Sequence, residues 1–165
     1  MMKLTEFNQA SATAARHSIA HCVALPDWSA ALVNGRPYSS LDELLAGGEL
    51  LAEEWDGAAL NQALSAHPRI GERAAGGGKE AAMSGSEQSQ VNSADARLAE
   101  ALRAGNAAYE QRFGRVFLIR AKGRSGEQIL AELQRRLNNN AEQEEREALA
   151  QLSEITLLRL QEAFQ

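Results

Sequence analysis

Only one stretch of this chain, Val116-Phe117-Leu118-Ile119, has the β-branched and aromatic character of a strand. Four residues with no second run to pair with make no sheet, so the stretch reads as an extended segment lying in a groove. The apolar content elsewhere is mostly Ala and Leu, residues that favour helices. Hydrophobic residues are 44% of the 165 and aromatics 5%, which describes a globular chain with a core built from helices. That length gives a prior of one domain, 1–165, able to bury a core without disulfides or metals. The expected fold is all-α, a compact single-domain bundle of about seven to nine helices.

The helix boundaries follow from local chemistry. Leu4, Phe7, Ala14 or Ala15, Ile19 and Cys22 share one helical face. Pro26 closes that region, and a short helix is expected from Trp28 to about Val33, before the turn residues Asn34-Gly35-Arg36-Pro37. Ser40-Leu41-Asp42-Glu43 reads as a capping box opening a helix to about Trp55, which Gly47-Gly48 could split. Asp56 is placed to cap a helix from Gly57 to Ala66. Pro68 disfavours helical geometry at His67, so His67 is expected at or just past that helix end. Arg69 to Ala82 reads as loop around Gly76-Gly77-Gly78, and Ser84-Gly85-Ser86-Glu87 repeats the capping-box pattern. Ser93 is expected to cap a long helix from Ala94 to Phe113, stopped by Gly114. Ser125 to Gln128 caps the next, Asn138-Asn139-Asn140 breaks it, and a last helix runs from about Ala141 to Ala163.

Composition excludes several function classes. A net charge of -5 argues against a dedicated nucleic-acid binder. Cys22 is the only cysteine, so neither an intrachain disulfide nor a cysteine metal cluster is available. No apolar run approaches the ~20 residues of a membrane span, and no signal peptide is visible. A cytoplasmic protein is the simplest expectation.

Three constellations carry chemistry. His67-Pro68-Arg69-Ile70-Gly71 holds an imidazole beside a loop, and histidine is the side chain best suited to move protons near neutral pH. Its structural alternative is a half-exposed loop histidine. Ser84-x-x-Glu87-Gln88 caps a helix, and the free N–H groups there, with Ser84, Glu87 and Gln88, suit a polar heterocycle. Arg159 shares a face with Leu152, Ile155 and Ala163, flanked by Leu149 and Leu160. An arginine in an apolar stripe needs an anionic partner, such as Glu87 or a substrate carboxylate, unless it snorkels to solvent.

Other patterns are discounted. His17 and His21 are spaced i, i+4 but lack the zincin glutamate and an evident third ligand, so no metal is expected. Gly76-Gly77-Gly78-Lys79 is not a phosphate loop, because Glu80 and Arg73 stand where the motif needs Ser or Thr and Gly. Cys22 reads as core. Arg112, Arg115, Arg120, Lys122 and Arg124 read as a solvated face offset by the acidic stretch Glu142 to Glu147.

Taken in order, these segments resemble the 2-oxo-4-hydroxy-4-carboxy-5-ureidoimidazoline (OHCU) decarboxylases, the last enzymes of the route from urate to allantoin. The resembling residues are His67 to Gly71, Ser84 with Glu87-Gln88, and Asn106 to Tyr109 leading into Arg112-Phe113-Gly114. Phe117-Leu118-Ile119 with Gly123-Arg124-Ser125, then Arg135-Arg136-Leu137-Asn138 and Glu154-Ile155 to Arg159-Leu160 follow, and Pro26 and Trp28 also match. The chain departs from many members after Gln88, where it reads Ser-Gln-Val-Asn-Ser in place of a small-residue turn. The resemblance implies a helical homodimer with no metal or organic cofactor, and His67 as the catalytic acid–base residue; Glu87 is expected as a second catalytic residue that fixes the imidazole's orientation or binds the ureido or hydroxyl group. It implies substrate contacts from Pro68, from Ser84, Gly85, Ser86, Glu87 and Gln88, from Ile119, Arg120, Ala121, Lys122 and Gly123, and from Arg159.

The chemistry this implies suits those residues. The substrate is an anionic ureidoimidazoline whose carboxylate leaves a carbon beside the ring's unsaturation, so the ring itself delocalises the electron pair. The protein has to orient the carboxylate, exclude water and deliver one proton to one face, giving (S)-allantoin. Two alternatives stand beside this reading. A hydrolase of a related ureide would release ammonia or urea rather than CO₂. A non-catalytic helical module binding an anionic partner through Arg112 to Arg124 would be indifferent to His67.

Overall fold

The computed structural model describes residues 1–67, 69–70 and 96–165. Among them are eight α-helices and one 3-10 turn, with no strand. The chain divides into two compact units, Met1–Ala63 with Ser153–Gln165, and Leu64–Leu152. Each is described by itself.

In the first unit, the helical face expected over Leu4 to Cys22 is broken. Helix α1 (Leu4–Gln9) ends at Ala10, and α2 (Ala12–Ile19) begins on Ser11, whose Oγ accepts from Ala14 N–H at 3.1 Å. A 3-10 turn, Ala20–Cys22, follows. Arg36 receives the end of α1 by donating to Phe7 O at 2.8 Å and Ala10 O at 2.7 Å. Helix α3 (Pro26–Asn34) starts two residues earlier than expected, because proline at the first turn is preorganised for a helix and lacks only an N–H that would go unused. Helix α4 (Leu41–Ala52) runs through Gly47-Gly48 unsplit. The Trp28 indole donates to Gly48 O at 3.0 Å, and a Cβ on Gly48 would meet Trp28, Leu157 and Leu160, so close packing occupies the place of the missing side chain. The capping box at Ser40 is only half made: Ser40 Oγ accepts from Glu43 N–H, but the Glu43 carboxylate accepts from Ser39. Asp56 caps α5 (Gly57–Leu64) by accepting from Ala59 N–H at 2.9 Å. The chain ends join this unit: Met2 N–H donates to Ala163 O, Gln165 N–H to Met2 O, and the Phe7 and Phe164 rings meet edge to face.

The second unit is built on α6 (Ala96–Phe113), α7 (Gly126–Arg136) and the first part of α8 (Ala141–Glu162). Helices α6 and α7 approach closely at Gly105, where a Cβ would stand 2.5 Å from Leu133 Cδ2. Glycine there lets the two backbones come together. Helix α6 ends at Gly114, as expected. Ser125 and Gln128 form a complete capping box at α7. Ile70, Leu98, Leu102, Tyr109, Phe117, Ile119, Ala121, Ile129 and Leu133 form its core cluster. The Val116–Ile119 stretch is neither helix nor strand, and Phe117, Leu118 and Ile119 are buried. No described helix is long and apolar enough to cross a membrane.

Candidate active site

His67 stands just past α5, in the second unit. Its N–H donates to Leu64 O at 3.1 Å, closing the last turn, and the residue is half-buried. The loop that follows is pinned to α6 at two successive residues. Arg69 reaches Glu110 with Nε to Oε2 and Nη2 to Oε1, both at 2.8 Å. Asn106 Nδ2, buried, donates to Ile70 O at 3.0 Å, and Ile70 itself enters the core cluster. The chain is thus held on either side of His67, by Leu64 O before it and by Glu110 and Asn106 after it.

The segment from Ile119 to Gly123 lies in the same unit and enters the same cluster through Ile119 and Ala121. Arg120 N–H donates to Gln151 Oε1 at 2.8 Å, and its guanidinium donates to Lys122 O. A turn closes with Arg124 N–H on Ala121 O at 3.1 Å. Gly123 has φ +81°, the left-handed region that the third position of a type II turn needs. Lys122 and Gly123 are exposed, while Ile119 and Ala121 are buried. The structure therefore places His67's loop and this segment on one core.

Arg159 lies in the first unit and is 0% exposed, so snorkelling is excluded. Its Nη1 donates to His21 O at 3.4 Å. Pro68, and Ser84 to Gln88 including Glu87, lie outside the described residues.

The discounted patterns resolve in physical terms. Helix α2 ends at Ile19, so His17 and His21 do not share a helical face; His17 is exposed and His21 buried. No group of His, Cys, Asp or Glu able to hold a metal occurs among the described residues. Cys22 is core. The basic stretch is partly engaged: Arg112 donates to Asn139 O, and Arg115 lies 3.7 Å from Glu145.

The residue-by-residue reading missed a buried polar network in the second unit. Arg136 donates to Glu144 through Nε (2.9 and 3.0 Å) and Nη2 (2.6 Å), and to Leu118 O through Nη1 at 2.8 Å. Its guanidinium lies 4.5 Å from the Phe117 ring centroid. Tyr109 donates its hydroxyl to Glu144 Oε2 at 2.5 Å. A signal existed: Ile129, Leu133 and Arg136 continue one apolar stripe, and Glu144, Ala148 and Leu152 continue another.

This network has a pH consequence. Burial first, and the Glu144 carboxylate second, hold the Tyr109 phenol well above the ordinary tyrosine value. The unfolded chain releases that proton near pH ~10 while the folded chain keeps it, so stability is present below pH ~10 and falls as pH rises beyond it. Tyr109→Phe is expected to flatten that alkaline slope, read as urea midpoints at about pH 8 and about pH 11. An unchanged slope would contradict the assignment.

The chain is similar to known proteins over most of its length. The sequence profile of the OHCU decarboxylase family matches residues 8–161. A 2-oxo-4-hydroxy-4-carboxy-5-ureidoimidazoline decarboxylase of Haloferax volcanii is 30% identical over 131 residues, covering 79% of this chain and 77% of its own. One of Amia calva is 32% identical over 142 residues, covering 85% and 81%. The fold matches a crystal structure of OHCU decarboxylase in the presence of (S)-allantoin, with a TM-score of 0.75 at 24% identity over 88% of this chain and 95% of that one.

Proposed function

Since the chain belongs to the OHCU decarboxylase family, we propose that it works over its whole length as a single catalytic domain with His67 as the proton-transfer residue. The reaction is decarboxylation of 2-oxo-4-hydroxy-4-carboxy-5-ureidoimidazoline to allantoin in urate degradation. The observation that carries the role of His67 is its place: a half-buried imidazole at a helix end, on a loop fastened to α6 by Asn106 and Glu110.

The step proposed is loss of the carboxylate as CO₂, with the C–C bonding electrons passing into the ring carbonyl and C=N system. The carbon that lost CO₂ keeps its hydroxyl, whose proton passes to the ring nitrogen as that carbon becomes a ring carbonyl, and His67 delivers one proton, on one face, to the adjacent carbon that bears the ureido group, giving (S)-allantoin. Since the substrate is its own electron sink, the proposed reaction needs no metal or organic cofactor. Glu87 is proposed to orient the imidazole or bind the ureido group. Pro68, Ser84 to Gln88 and Ile119 to Gly123 are proposed to bind the heterocycle. A cytoplasmic homodimer completes the proposal. The test is CO₂ release from freshly generated substrate: purified protein is expected to exceed spontaneous decay, and release of ammonia or urea instead would favour a ureide hydrolase.

Arg159 is proposed to balance the substrate's negative charge. Arg159→Met suits the apolar stripe in length and shape, so the melting temperature is expected to stay similar or rise slightly. Activity and affinity for allantoin-like ligands are expected to fall. Unchanged turnover in that variant would remove Arg159 from the site, and a large stability loss would make it a core ion-pair member instead.

A further inference from the structure

Two side chains grip the backbone of the segment read above as touching substrate, and both come from outside it. Arg136 Nη1 donates to Leu118 O at 2.8 Å. Gln151 Oε1 accepts from Arg120 N–H at 2.8 Å. In extended chain, residues two apart turn their peptide groups to the same edge, and the residue between them turns its own to the other. An extended course here would put Leu118 and Arg120 on the gripped edge, and the peptide groups of Ile119 and the N–H of Ala121 on the opposite one, Ala121 O being taken by Arg124 N–H. The stretch belongs to no sheet, so these side chains stand where a neighbouring strand would.

Each grip is itself fixed. Arg136 is 1% exposed and Glu144 0%. Three donor contacts to Glu144 and the Phe117 ring beneath the guanidinium leave Arg136 no other pose that keeps its charge paired. Glu144 and Gln151 stand on one helix, α8, about two turns apart, so one rigid element sets the register of both anchors. Tyr109 and Asn139 hold Glu144 from other directions.

We infer that Arg136 and Gln151 are positioning residues for the decarboxylation: gripping Leu118 and Arg120, they aim the peptide groups of Ile119 and the N–H of Ala121 at the substrate. The inference rests on the reading of Ile119 to Gly123 as a substrate-binding segment. It predicts an effect on substrate affinity, because misaimed peptide groups bind the heterocycle less well while the proton donor is untouched.

The test is steady-state kinetics on the full-length protein with fresh substrate. Gln151 is half-buried, so its variants are expected to fold. Gln151→Met, which removes the acceptor at similar volume, is expected to raise KM about tenfold with kcat changed less than about threefold. Gln151→Glu keeps an acceptor and is expected to keep a KM near that of the unmutated protein. Arg136→Lys keeps the charge but loses the fork that reaches Glu144 and Leu118 together, and is expected to raise KM also. Should Arg136→Lys not fold, the Gln151 pair decides alone. An unchanged KM in Gln151→Met, an equal loss in both Gln151 variants, or a loss confined to kcat overturns the proposal while leaving the decarboxylase reading intact. An unmutated protein without activity removes that reading, and the proposal with it.

Discussion

His67→Asn is expected to leave the protein folded and to slow decarboxylation by about 10²–10⁴-fold, the usual worth of a positioned proton-transfer group. The described contacts that shape the chain at His67 run through its backbone and through neighbouring side chains. The chain turn at His67 is closed by its backbone N–H on Leu64 O, which any residue before a proline supplies. The following loop is held by Arg69 on Glu110 and by Asn106 on Ile70, neither of which involves the imidazole. Asparagine keeps a polar side chain of moderate size but cannot exchange a proton near neutral pH. The variant should therefore match the unmutated melting temperature while losing turnover. Near-normal turnover in a folded variant would remove the imidazole from the chemistry.

Arg136→Met is expected to cost about 3–5 kcal/mol, since it strands the Glu144 carboxylate in the core. Against a total stability of about 5–15 kcal/mol, that is enough to shift the urea midpoint clearly or to prevent folding at 37 °C. The argument is one of desolvation. Both members of the pair are essentially without solvent exposure, at 2% and 0% of their side-chain surface. Glu144 accepts from three side chains, Arg136, Tyr109 and Asn139, and Arg136 is the one among them that carries a positive charge. Replacing both members, as Arg136→Met with Glu144→Met, removes the stranded charge and should recover much of the loss. A single variant costing under about 1 kcal/mol would show that water reaches the carboxylate when Arg136 is gone.

Much of this was legible in the chain, and the exceptions share causes. Two helix starts were readable from one side chain each: Asp56 and Ser125 cap as their spacing predicts. Ser40 does so in part, because Ser39 takes the Glu43 carboxylate first. The first helix was read too long, since Leu4, Phe7, Ala15 and Ile19 keep a helical phase across a break that Ser11 makes by capping a new one. Arg159 stood out as a lone cation among leucines, and burial bears that out. Arg136 and Glu144 did not, because each lies in a charge-rich stretch, Arg135-Arg136 and Glu142 to Glu147, which looks solvated. Their neighbours do stay near the surface: Arg135 pairs with Glu132 and Glu147 there, and its hydrogen bonds hold the Glu147 carboxyl below the usual range. Which charge in a run turns inward is set by helix phase against a neighbour, which single-residue reading does not weigh. Gln151 carried no local signal, since its role is to accept from a backbone N–H far along the chain.

The most direct measurement of the central claim is circular dichroism during conversion of freshly generated substrate. Spontaneous decay yields racemic allantoin and no lasting signal, whereas protonation on one face yields one enantiomer. The unmutated protein is expected to produce a growing, stable signal of the (S) product at a rate set by protein concentration, and His67→Asn is expected to leave the racemic course unchanged. A racemic product in the presence of folded, unmutated protein, or an enantiomeric signal that survives His67→Asn undiminished, would contradict the account.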